Sequence, residues 1–213
     1  MKLKVGFGIA EDHRTVRAVR EAIGSEVRLM VDANHAYDAT QAIRLGRLMA
    51  PYDIYWFEEP VVPEDVDGYV QVKQALGIPI AGGEAEYTRF GFRELIARRA
   101  VDIVQPDLCA CGGFSEAMKI WALASTWGIS YFPHVWGSAV GLYAGLQLAA
   151  SLPPNPLALF PLGPLFELDR TPNPFREKLS SAPLVRKGDR IEIPAGPGLG
   201  LEIDREFLKR HAS

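Results

Sequence analysis

Residues 27–34, VRLMVDAN, begin a pattern that recurs as IYWFEEP at residues 54–60 and as IPIAGGE at residues 78–84. Each stretch is a short apolar run that ends in a carboxylate; these carboxylates are Asp32, Glu58 and Glu84. They follow one another at intervals of 26 residues, which is about one strand, one helix and two loops. The pattern therefore predicts successive βα units whose acidic side chains meet at one rim of a parallel sheet.

The same period continues further along the chain. An apolar run at residues 101–105 ends near Asp107, and another at residues 129–133 ends at His134. Amphipathic helices are predicted between the runs, three of them with a start signal before them, at residues 39–49, 65–76, 89–98 and 114–127. The alternation predicts an α/β architecture with a parallel sheet.

Composition and charge restrict the class of protein. Of the 213 residues, 48% are hydrophobic and 23% are charged, which is ordinary for a single cored domain. The net charge of −3 gives no electrostatic reason to expect nucleic acid or an anionic membrane as a partner. No apolar run approaches the ~20 residues of a membrane span, and no signal-peptide pattern is present. We therefore expect a cytoplasmic protein.

The chemistry of the three acids points to a metal. Single acids at strand ends are commonly helix N-caps or loop salt bridges, but three converging carboxylates repel one another unless a divalent cation lies between them. Oxygen ligands without Cys or His favour Mg²⁺, or Mn²⁺, over zinc. Glu59 lies beside Glu58 in the sequence, and strand alternation predicts that it points away and forms a structural salt bridge.

Further motifs carry a specific resemblance. Together with the three stretches above, Lys2-Leu3-Lys4, QPD at residues 105–107 and PH at residues 133–134 resemble the enolase superfamily, in its mandelate racemase-like branch. The resemblance extends from residue 1 to about residue 205. It implies a TIM-type (β/α) barrel and an enzyme that abstracts the proton α to a carboxylate through an enediolate.

The resemblance also implies roles for individual residues. Asp32, Glu58 and Glu84 would hold Mg²⁺, Lys4 would be one acid/base and the His134–Asp107 dyad the other. Lys2, on the same strand face as Lys4, would tune it, and Glu167 of the FELD segment would contact the substrate. Four polar or aromatic side chains near the metal are further predicted substrate contacts: Asn34, His35, Gln105 and Trp136.

The reaction is left open among related outcomes. Dehydration of a sugar acid to a 2-keto-3-deoxy acid is favoured, because the VDAN and QPD surroundings resemble sugar-acid dehydratases of the branch. A racemase, an epimerase or a cycloisomerase is the alternative within the superfamily. A truncated, inactive barrel that acts only as a binding protein is the alternative outside it.

The chain also departs from the family pattern. A capping domain and the first barrel strand, which members of the family carry before Lys-x-Lys, do not precede Lys2 here. We count about seven strands, the last at residues 157–160, and so predict an incomplete, open barrel over residues 1–186. Residues 187–213 would be a tail that braces the absent capping domain. Unpaired edges favour association, so we expect a homo-oligomer and slow turnover by this chain alone.

Overall fold

The computed structural model describes residues 1–153, 165–182 and 184–211, and its centre is a parallel sheet. The sheet has six strands in sequence order. They are β1 (Lys2–Lys4), β2 (Leu29–Asp32), β3 (Ile54–Glu58), β4 (Ile80–Gly82), β5 (Ile103–Val104) and β6 (Ser130–Tyr131). Every neighbouring pair is parallel. The predicted α/β class is confirmed.

Helices alternate with these strands. They are α1 (Ile9–Ile23), α2 (Ala39–Met49), α3 (Val66–Ala75), α4 (Thr88–Ala97), α5 (Phe114–Thr126) and α6 (Ala139–Ser151), with a 3₁₀ turn at Ala50–Tyr52. The four predicted helices agree to within one residue at each end. Asp38 caps α2, because its side chain accepts from the backbone N–H of Gln41 while the Gln41 side chain accepts from that of Asp38.

Strand alternation separates an outer from an inner face. Outward side chains such as Leu29, Val31 and Phe57 are fully buried against the helices in the main core. The inward side chains form a second, smaller apolar cluster around Trp56, with Ala81 and Ile103. Because Asp32 and Glu58 are the last residues of their strands on this inner face, they lie directly beyond the apolar cluster.

The sheet is open in the part of the chain that the structure describes. Its order runs from β1 to β6, and no described strand joins those two ends. The predicted seventh strand at residues 157–160 lies outside the described residues. Over the described residues, the incomplete barrel inferred from the sequence is confirmed as an open parallel sheet.

The C-terminal residues pack against α6. A hairpin of β7 (Arg186–Lys187) and β8 (Arg190–Ile191) precedes α8 (Arg205–His211), and α7 (Pro174–Glu177) comes before them. The tail was predicted to start at residue 187, which is inside this hairpin. Its Phe207 joins Ala139 and Tyr143 of α6 in a separate apolar cluster.

No helix among the described residues has both the length and the apolar character that crossing a bilayer demands.

Arg20 near the end of α1 connects several loops at the strand starts. Its guanidinium donates to four backbone carbonyls, those of Gly24, Val27, Tyr52 and Asp53, at 2.7–2.9 Å.

We expect Arg20→Met to lower the free energy of unfolding by about 2 kcal/mol, because several carbonyls lose a charged donor. Urea denaturation measures this, with Arg20→Lys as the control. The lysine keeps the charge but lacks the planar fork, so a lysine variant as stable as the parent would contradict the role assigned to the fork.

Candidate active site

Three carboxylates meet at the C-terminal ends of β2, β3 and β4. Asp32 and Glu58 are register partners and both are fully buried. Glu84 follows β4 after Gly83, whose φ is +118° and whose added Cβ would lie 2.5 Å from the Phe92 ring, so the turn requires glycine. One oxygen from each carboxylate lies within 4.8 Å of the others. The structure brings the predicted acidic cluster together.

Glu58 is the most enclosed member of the cluster. Its Oε2 accepts from the indole N–H of Trp56 at 2.8 Å and from Nε2 of Gln105 at 2.9 Å. Burial raises the pKa of Glu58 to about 7, and the charges of Asp32 and Glu167 add to the rise, although Lys2 opposes it. These fixed donors hold one oxygen in place and leave Oε1 to face Lys2.

Lys2 lies among three carboxylates. Its Nζ is 2.5 Å from Glu58 Oε1, 2.5 Å from Glu167 Oε1 and 3.4 Å from Asp32 Oδ2. Burial by itself would lower the pKa of Lys2, but the attraction of Glu58, Glu167 and Asp32 outweighs it and raises the pKa. The three carboxylates therefore favour the protonated form of Lys2.

Lys4 points to the same face as Lys2, as the i, i+2 spacing in a strand predicts. Its Nζ lies 2.5 Å from Asp32 Oδ2 and donates to Asn34 Oδ1 at 2.6 Å. Unlike Lys2, whose side chain is 18% exposed, the side chain of Lys4 is 57% exposed. The amino group of Lys4 is therefore held by two contacts, while its side chain remains accessible to solvent.

The His134–Asp107 pair lies beyond β5 and β6, at the opposite end of the strand order from Lys4. The two residues form a parallel bridge, and His134 Nδ1 is 2.7 Å from Asp107 Oδ2. His134 Nε2 is 3.4 Å from Glu84 Oε2. The predicted contact is present, and the free imidazole nitrogen faces the acidic cluster. Burial tends to lower the pKa of His134, but Asp107 and the charges of Glu84 and Glu167 raise it.

Glu167 connects the two ends of the open sheet. One oxygen contacts Lys2 of β1, and the other accepts from the backbone N–H of Val135 at 3.2 Å, beyond β6. The same oxygen is 4.0 Å from His134 Nε2. The structure therefore places Glu167 between Lys2 and the predicted acid/base group His134.

The remaining predicted substrate contacts differ in their accessibility. Asn34 is exposed beside Lys4, and Trp136 is 64% exposed on the loop after β6. His35 Nε2 lies 2.5 Å from Oε2 of Glu59, the residue for which a salt bridge was predicted. Gln105 is buried and contacts Glu58, so it supports a predicted metal ligand.

Trp56 was not among the predicted site residues, although it donates to Glu58. Its spacing of two residues from Glu58 within a strand places both on the inner face, and this was the signal available in the sequence.

The donor set fits a hard divalent cation. All three clustered ligands are carboxylates, with no sulfur or imidazole among them, and two are held in place by β-strand register. The ammonium of Lys2 already contacts two of them, which shows that the pocket between them accepts positive charge.

The contacts of Lys2 predict a large stability effect. Lys2→Met leaves buried carboxylates without their counter-charge, so we expect the metal-free protein to lose about 3 kcal/mol of unfolding free energy. Chemical denaturation in the presence of a chelator measures this. Lys4→Met is the matched control, and its loss should be smaller because Lys4 is the more exposed lysine. Equal losses in the two variants would show that burial of Lys2 is not the cause.

Comparisons with known proteins agree with this geometry. The family model of the enolase C-terminal domain-like proteins matches residues 1–207. The chain is 51% identical over 207 residues to D-galactarolactone cycloisomerase of Agrobacterium fabrum, covering 97% of this chain and 55% of that protein. It is 43% identical over 208 residues to L-talarate/galactarate dehydratase of Salmonella typhimurium, covering 97% of this chain and 48% of that protein.

A solved structure shows the same fold. The crystal structure of 3,6-anhydro-D-galactonate cycloisomerase from Zobellia galactanivorans superposes with a TM-score of 0.91 at 43% identity, covering 98% of this chain and 57% of that one. The chain spans about half the length of the curated relatives that it matches. The motifs, the sheet and these matches agree: the chain belongs to the enolase C-terminal domain-like family, within the enolase superfamily.

Proposed function

We propose that this chain forms the catalytic part of an enzyme that removes the proton α to the carboxylate of a sugar acid. The observation that carries the proposal is the placement of Lys4 and His134 at opposite ends of the strand order, with the acidic cluster between them. Two proton-transfer groups that flank one site can act on opposite faces of a substrate. The similarity to sugar-acid dehydratases and to a cycloisomerase supports the substrate class.

We propose Mg²⁺ as the cofactor, held by Asp32, Glu58 and Glu84. When bound, Mg²⁺ would neutralise the negative charge that develops on the substrate carboxylate as the α-proton leaves. Trp56 and Gln105 would keep Glu58 oriented, since both donate to its Oε2.

The first step belongs to Lys4. As the neutral amine, Nζ takes the α-proton, the C–H bond breaks, and its electron pair enters the enediolate. Contacts with Asp32 and Asn34 fix the position of Nζ, which reduces the cost of bringing base and substrate together. Lys2 stays protonated and balances the charge of the carboxylates. Asn34 lies beside Lys4, with His35 next to it in the same loop, and both are proposed to contact the substrate. Trp136, on the loop after β6, and Glu167 are proposed as further substrate contacts.

The second step belongs to His134. Asp107 orients the imidazole, and the raised pKa favours a protonated ring that can donate from Nε2. If the β-oxygen of the substrate belongs to a hydroxyl, the C–O bond breaks, His134 protonates the oxygen, and water leaves. The resulting enol tautomerises to a 2-keto-3-deoxy acid.

A cycloisomerase is the second candidate, favoured by the 51% identity to D-galactarolactone cycloisomerase. The first step is then unchanged. If the β-oxygen belongs to a lactone ring, the same bond cleavage opens the ring, and no water is lost. The two candidates therefore differ only in the leaving group.

The metal assignment predicts a binding pattern. Mg²⁺ should bind the parent chain, and Asp32→Ala, Glu58→Ala and Glu84→Ala should each abolish binding in isothermal titration calorimetry. Because ligands bind deprotonated and the pKa of Glu58 is raised to about 7, affinity should weaken as the pH falls from 8 to about 6. Glu59→Ala is the control and should still bind. Unchanged affinity in Glu58→Ala would refute the assignment.

The reaction itself is tested by product mass. Galactarate, other sugar acids and D-galactarolactone are incubated with the chain and Mg²⁺, and products are identified by mass spectrometry. Dehydration gives a product lighter by one water, whereas cycloisomerisation gives a product of unchanged mass. Lys4→Met and His134→Asn should each lower kcat by about 10²–10⁴-fold.

An isotope effect provides the control for these assays. A substrate that carries deuterium on the α-carbon should be consumed more slowly than the unlabelled substrate, because that bond breaks in the first step. Consumption that persists at the parent rate in Lys4→Met would contradict α-proton abstraction by Lys4.

A further inference from the structure

Glu59 has a backbone conformation that its residue type disfavours. Its φ is +42°, in the left-handed region, although the side chain is neither glycine nor one of the types enriched there. It faces Asn34 and His35, whose φ values are +41° and +65°. Such residues cost energy and persist where the surroundings hold them, often at functional sites.

The strained turn aims a buried carboxylate at the loop after β2. Glu59 is 1% exposed, and its Oε2 lies 2.5 Å from His35 Nε2. Its backbone carbonyl accepts from the N–H of His35 at 3.0 Å. Glu59 therefore holds His35 at both the main chain and the side chain. The same Oε2 also accepts from Nδ2 of Asn34 at 3.5 Å.

The contact with Asn34 determines which end of its amide faces Lys4. An ionised carboxylate only accepts hydrogen bonds and an ammonium only donates them. The amide can therefore satisfy both neighbours in one orientation, with Nδ2 towards Glu59 and Oδ1 towards Lys4. The structure has this orientation, with Lys4 Nζ 2.6 Å from Asn34 Oδ1.

We propose that Glu59 is a positioning residue for Lys4, acting through the side-chain amide of Asn34. Glu59 contacts neither Lys4 nor the predicted metal ligands through a hydrogen bond or ion pair among the described residues. Its catalytic consequence rests on the proposed function, whereas its structural consequence, a restrained Lys4 amine, does not.

A purely structural Glu59 would behave differently. If the carboxylate only stabilised the fold through His35, its removal would lower stability and leave the Lys4 amine as it is. The test therefore measures the amine directly. Lys4 is exposed enough to react with acetic anhydride, and its labelling rate is read by peptide mass spectrometry with Mg²⁺ present.

The principal variant is Glu59→Gln, which keeps the size of the side chain but adds a donor that no longer fixes the Asn34 amide. We expect Lys4 to be labelled at least about threefold faster, the lower end of coupling within one hydrogen-bond network. Buried Lys2 should stay slow in every variant. Asp102→Asn is the matched control. Asp102 directly precedes β5, pairs with Lys73 of α3 and accepts from the backbone N–H of Ile80 at the start of β4, at the opposite end of the strands from the site. Its change should leave Lys4 labelling unaltered.

A double-mutant cycle tests whether Glu59 acts on Lys4 through Asn34. Asn34→Ala alone should accelerate Lys4 labelling, and Glu59→Gln in that background should add nothing. Asn34 is exposed, so this arm remains informative even if Glu59→Gln fails to fold. Unchanged labelling in Asn34→Ala, or a Glu59→Gln effect that persists in full without Asn34, would overturn the proposal.

Turnover separates this inference from the proposed function. With a consumed sugar acid, Glu59→Gln should lower kcat about ten- to hundredfold with little change in KM, as expected for a displaced base. If no sugar acid is consumed but the labelling cycle behaves as described, the proposed function fails and the positioning role stands. If turnover occurs and labelling is unaffected by Glu59, the positioning role fails instead.

Discussion

The site depends on one buried ammonium. Lys2 lies within 3.4 Å of oxygens from Asp32, Glu58 and Glu167, which come from the neighbouring strands β2 and β3 and from the segment between α6 and α7. Carboxylates at this density repel one another in a poorly solvated site, and a cation among them reduces the cost. We therefore expect Lys2 to stabilise the convergence of β2 and β3. Lys4, two residues later in β1, lies at the exposed edge of the cluster.

The strand pattern explains why this convergence was visible in the sequence. In a parallel sheet, the carboxyl ends of the strands lie at one rim, so a carboxylate that ends a short apolar run lies at that rim. A constant interval gives the same position in each successive βα unit. Asp32, Glu58 and Glu84 follow this rule, and so do Asp107 and His134 on the later units. The amphipathic helices were predictable for the same reason, since each has one face on the sheet. Helix α6 was not, because it is apolar on nearly all sides: it packs against the sheet and against the tail residue Phe207.

Other features of the site are set by local turns or by contacts between distant parts of the chain. Periodicity carries no information about a single residue that leaves the strand, so the left-handed turn at Glu59 could not be predicted from the IYWFEEP motif. Alternation correctly predicted its salt bridge but not the partner, His35. The position of Gln105 behind Glu58 also depended on register between strands that are not adjacent in sequence. Glu167 follows a long proline-rich stretch, where no period relates it to the sheet. Its place became clear only through its contacts with Lys2 and Val135.

The balance of charge connects these observations to the proposed chemistry. Five carboxyl groups face the site, from Asp32, Glu58, Glu84, Asp107 and Glu167, and the basic side chains among them are those of Lys2, Lys4 and His134. Acidic groups are therefore in excess at the site. The raised pKa of Glu58 has the same origin, because burial and then the charges of Asp32 and Glu167 act against its ionised form. A bound Mg²⁺ would offset that excess and favour the ionised carboxylate. The same excess of acidic groups that gives Lys2 its expected stabilising role would also favour the proposed Mg²⁺.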